Sequence, residues 1–201
     1  MDILFLALAV AIGIVFLNAQ EQKQRIGVLG SHLGQYQIET LMENITQGYL
    51  RALGESDPGR RDQIWTLLSN AESTVSSQFS RFAADFAKVD AALARVSTLP
   101  LALPWATRLL PRTSFDVREA FAVHARGIAD AAANREGRSP RDKAFILSAE
   151  LFLMQHTCHW FCRSRNVASA RLLARHKTRH EQVLASVSPQ TRQAYGALTG
   201  L

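Results

Sequence analysis

The chain has 201 residues, 47% of them hydrophobic, and a formal charge of +6, enough for a packed core and too apolar for a disordered chain. Two cysteines, Cys158 and Cys162, exclude a disulfide-stapled scaffold. The excess charge is local: residues 163–201 hold seven Lys and Arg against Glu181 alone, and the remainder is neutral.

Ile3 to Leu17 is an unbroken apolar run. As a helix, residues 1–19 span roughly 28 Å, close to the hydrocarbon thickness of a bilayer. No Lys or Arg precedes the run, and Leu17-Asn18-Ala19 is a poor cleavage site, so the segment reads as a retained transmembrane anchor. Lys23 and Arg25 follow it directly. Basic residues stay cytoplasmic, so the expectation is a single-pass inner-membrane protein with its body in the cytoplasm. Arginine and alanine usage suggests a GC-rich bacterial source.

Residues 20–98 predict two long helices joined at Gly54–Gly59, an antiparallel, coiled-coil-like hairpin. The first runs from Gln20 to Leu53 with Ile26, Leu29, Leu33 and Tyr36 on one stripe. Asp57 caps the second and Pro58 opens it. Trp65, Leu68, Val75, Phe79, Phe82, Phe86, Val89, Leu93 and Val96 alternate by three and four, interrupted by Glu72. That is a seam for a facing helix. Trp65, Val75, Phe79, Phe82 and Phe86 are thus candidates for contact with a protein partner or a second copy.

Residues 99–112 form a proline-rich apolar linker, with Pro100, Pro104 and Pro111. Trp105, Arg108, Leu109 and Leu110 match the amphipathic and basic residues that gather at a membrane interface. This segment is expected on the bilayer at the foot of the hairpin, or else buried under the C-terminal domain.

Residues 113–201 predict a basic four-helix bundle with no strand anywhere in the chain. Its helices run from Thr113-Ser114 to Ala133, from Ser139-Pro140 to Cys162, from Val167 to Val187, and from Ser188-Pro189 to about Leu198. The overall class is all-α. The second of these helices is apolar nearly all round and therefore buried. Its Glu150 needs a partner. In a tight pair turning near Arg165, Glu150 faces His180, and Gln155 faces His176.

Glu150, His176 and His180 could share a zinc or iron ion, since histidines four apart on a helix point the same way. Cys158, Cys162 and His159 lie nearby. Cys158-x3-Cys162-x13-His176-x3-His180 resembles the two-cysteine, two-histidine zinc finger over residues 158–180, a resemblance that implies zinc. Here the cysteines end an apolar helix where such fingers carry a strand hairpin. In a straight helical pair Cys162 would lie roughly 12 Å along the axis from His176.

Arg171, Arg175 and Arg179 recur every four residues and are candidates for phosphate or lipid contact. No nucleophile with a base and no glycine-rich phosphate loop is present in the sequence. The expected function is a membrane-anchored helical scaffold or accessory subunit, without a cofactor. The alternatives are a metal-dependent sensor or enzyme on the Glu/His cluster, and nucleic-acid binding by the basic helix, the least favoured.

Overall fold

The computed structural model describes residues 2–201; Met1 of the expected anchor lies outside them. The chain is 77% helix and 3% strand, so the all-α class holds.

Helix α1 (Asp2–Leu33) carries the apolar run and continues beyond it as one rod. It is long and apolar enough to cross a membrane; its most apolar stretch is not buried in the body, whereas Leu29 further on joins the core. The expected helix from Gln20 to Leu53 is broken. α1 ends in a turn at Gly34–Gln37, and α2 (Ile38–Gly54) follows. Gly34 is poor in a helix interior, and the Gln37 amide takes the Gln78 side chain at 2.7 Å instead.

α3 (Pro58–Phe86) starts as expected, with the Asp57 carboxylate accepting from the Arg60 amide at 2.7 Å. It runs back along α2 and the end of α1. Tyr49 contacts Glu72 and Trp65, Tyr36 contacts Phe82, and His32 contacts Phe86. The helix stops at Phe86, twelve residues short of the expected end. Asp90 explains why: its carboxylate accepts from the amides of Ala92 and Leu93, a local turn that competes with the helix.

The chain then forms strand β1 (Arg95–Ser97), which pairs antiparallel with β2 (Ser114–Asp116). This corrects the strand-free expectation. Val96 is buried between two half-exposed neighbours, a period of two that three residues could not announce. Between the strands lie α4 (Ala106–Leu109) and a 3₁₀ turn at Pro111–Thr113.

α5 (Val117–Ala133) begins after Asp116, which caps it through the Arg118 amide at 2.9 Å. Thr113 and Ser114, the expected caps, lie in the turn and strand. α6 (Pro140–Cys162) and α9 (Pro189–Thr199) are capped by Ser139 and Ser188, each followed by proline. The expected helix from Val167 to Val187 is two: α7 (Arg165–His176) and α8 (His180–Ser186). Lys177 between them is left-handed, φ 55°, with its amide on the Leu173 carbonyl.

The seam on α3 closes within the chain. Val75, Phe79, Phe82 and Phe86 have no exposed surface; the three phenylalanines contact Phe121 of α5, and Trp65 is tilted against Tyr49. Val75 to Phe86 is therefore covered within the chain, while Trp65 stays half-exposed. One apolar core runs from Leu29 through α3, α5 and α6 to Tyr195.

Candidate functional site

Three regions carry the candidate residues: the foot of the body, the interior of α6, and the flank beside α2.

At the foot, the 99–112 segment packs against α1 where the apolar run ends. The Asn18 side chain donates to the Ala102 carbonyl at 3.0 Å, and the Trp105 amide reaches Glu21 Oε2 at 3.4 Å. The Asn166 amide donates to the Pro100 carbonyl, and Trp160 Nε1 to the Ser97 carbonyl. The backbone of the segment is thus tied down while its apolar side chains face outward. Leu101, Leu103, Trp105, Leu109 and Leu110 are all exposed, Leu109 by 71% and Trp105 by 49%. Trp105 has φ 57°, a left-handed conformation costly for a bulky residue. Arg163 donates to Gln22, and Arg25 pairs with Glu21 at 2.7 Å, both beside this segment.

Inside the body, α6 presents a polar side chain to each neighbour. His124 of α5 shares a 2.8 Å hydrogen bond with Thr157, which bonds Tyr195 of α9 at 2.9 Å. His156 contacts Ser169 of α7 at 3.1 Å and stacks on His180 of α8, ring centroids 4.0 Å apart. Glu150 Oε1 accepts from the Ser188 amide at 3.0 Å. Burial holds His124 at about 3 and His156 at about 2, and it raises the Glu150 carboxyl. These groups are sealed: His124, Glu150 and His156 have no exposed surface.

The expected facing of His176 and Gln155 is realised as a 2.8 Å hydrogen bond, with the His176 ring stacked on Phe152. The Glu150–His180 pair is not formed. The break at Lys177 ends the straight register, and His180 meets His156 instead. Glu150, His176 and His180 therefore have three different sets of neighbours. Among the described residues no three His, Cys, Asp or Glu side chains gather as a metal-holding group. Cys158 and Cys162 are buried free thiols, and burial raises both, Cys162 to about 11. His159 accepts from Arg171 at 3.1 Å. Arg171 and Arg175 lie on α7, but Arg179 falls past its end, so the three do not share one helical face.

Sequence reasoning missed His124, whose signal is its place among Ala120, Phe121 and Ile128 on the buried face of α5. It also missed Asn18 and Glu21, which carry no pattern until the 99–112 segment is folded against them. Comparison with protein-family models, curated proteins and solved structures gives no match.

Proposed function

We propose that this is a single-pass membrane protein whose helical body is a scaffold seated on the cytoplasmic face of the inner membrane by a second contact, the 99–112 segment. The observation that carries this reading is the coincidence of levels. The segment is bonded to Asn18 and Glu21, immediately where the exposed apolar run of α1 ends, and it turns Leu101, Trp105 and Leu109 outward there. Tryptophan and leucine beside basic residues are favoured at the headgroup boundary.

The same end of the body brings Arg25 and Arg163 beside the segment, and α4 carries Arg108; Arg108 and Arg163 support the positive-inside argument with residues distant in sequence from the anchor. The strained backbone at Trp105 fits a residue held out for an external contact. The scaffold half of the reading rests on what the body offers to solvent. Its titratable cluster is enclosed, whereas a groove lined by both apolar and charged side chains lies open on its flank.

The test is quenching of Trp105 by lipids brominated high on the acyl chain, with the full chain in vesicles. Trp160 is buried and Trp65 half-buried, so the difference between wild type and Trp105→Phe isolates Trp105. Quenching in wild type, lost in Trp105→Phe, is expected. Equal quenching of both proteins, with the chain membrane-integrated, would overturn the second contact.

A further inference from the structure

The flank between α2 and the α6–α7 pair holds a groove of about 610 Å³, continued toward α1 by a hollow of about 260 Å³. The two share Glu39, Met42 and Gln155. Two of the chain's three methionines, Met42 and Met154, line them; methionine is the side chain that adapts best to an incoming apolar surface. At the far end Leu50, Leu53 and Phe145 stand exposed, Leu50 by 73% and Phe145 by 63%.

The walls differ in sign. Glu39 and Glu43 lie on the α2 wall; Arg171 and Arg175 lie on the α7 wall, joined by Lys177 just past α7 and Arg141 on α6. Among the described residues none of these six forms an ion pair, so the groove holds acid and base apart. From Glu39 to Leu53 the groove follows α2 for roughly 21 Å, the length of four helical turns.

We propose that the groove is occupied by α2 of a second copy of this chain, in a parallel two-fold dimer. The inference rests on the membrane-anchored reading, which fixes the axis. Two copies inserted the same way in one bilayer are related by a two-fold along the membrane normal. Rotation about that axis keeps each residue at its own height and exchanges the two walls. The acidic wall of each copy then faces the basic wall of the other. Leu50 and Leu53 meet Phe145 at the far end. Both halves of the contact are on one face of one chain, as an isologous interface requires. Confinement to a bilayer raises the effective concentration of the two copies without any added contact.

The experiment counts photobleaching steps of the singly labelled full chain in lipid vesicles at low protein density. Glu39→Lys/Glu43→Lys turns the α2 wall basic, and Arg171→Glu/Arg175→Glu reverses the two facing charges on the α7 wall. The wild type is expected as a dimer, each variant alone with its dimer fraction reduced at least tenfold, and the two variants mixed as dimers holding one of each. All four positions are exposed, so the thermal midpoint of each variant stays at the wild-type value and serves as the folding control. A wild type monomeric at every density overturns the proposal, as does a dimer that survives either reversal. A dimer lost only on Gly13→Ile, inside the span, also overturns it by moving the contact into the membrane. Flotation of the same vesicles separates the two readings: a chain that does not float fails the anchor, and one that floats as a monomer fails only the dimer.

Discussion

At Gly127 the α5 backbone passes close to the buried Glu150 carboxylate. A Cβ there would lie 2.3 Å from Thr191 Oγ1 and 2.4 Å from Glu150 Oε2, so only glycine lets α5 pass the buried carboxylate. Gly127→Ala is expected to cost about 1–3 kcal/mol in urea unfolding. The neighbouring histidines give stability a pH dependence whose sign follows from their environment. Unfolded, each titrates near 6.5; folded, His124 is held at about 3 and His156 at about 2. Below 6.5 the unfolded chain takes up protons that the native chain refuses. Stability is therefore full above that pH and falls on acidification, by up to about 1.4 kcal/mol per pH unit for each histidine. Glu150 acts in the opposite sense. Its carboxyl is raised, so it keeps a proton in the native chain where the unfolded chain has lost it, and it offsets part of the fall. The urea midpoint is expected to drop between pH 7 and pH 5, and to drop less in His124→Gln. Equal midpoints at both pH values would contradict neutral, buried histidines.

At the scale of elements, Glu72 shows how an interruption in a pattern became a tie. It breaks the apolar seam of α3 in sequence. In the fold its buried carboxylate accepts from Tyr49 of α2 at 2.6 Å and pairs with Lys143 of α6, joining three helices. Lys143→Met strands that carboxylate and is expected to cost about 3–5 kcal/mol by urea unfolding, most of it recovered in Glu72→Leu/Lys143→Met. Helix starts were legible wherever a cap and a proline coincide, as at Asp57-Pro58, Ser139-Pro140 and Ser188-Pro189. Helix ends were less so. Lys177 ends α7 without glycine or proline, and Asp90 ends the α3 run by a side-chain turn inside an intact apolar spacing. Of the candidate residues, His176 and Gln155 could be placed together because one straight register joins them. Glu150 could not be assigned to Ser188, because its partner is a backbone amide at a helix start beyond two breaks.

For the molecule as a whole, the orientation reading makes a direct prediction. Leu201 is exposed, so a C-terminal fusion does not disturb the core. In a bacterial host a green fluorescent protein fused there is expected to fluoresce, and an alkaline phosphatase fused there to stay inactive. The reverse pattern would put the body outside. The hydrogen bond between Asn18 and Ala102, with Trp105 on Glu21, has a mechanical meaning. A body hung from its anchor by a slack tether would tumble over a hemisphere. Here α1 leaves the apolar run and enters the body without a joint, and it is braced at the point of exit. With that rod upright in a bilayer, the body is a post rather than a ball on a string. On the membrane-anchored reading proposed above, it would be left free to drift in the plane and to spin about one axis, and an encounter at its flank would be a search in two dimensions and a single angle.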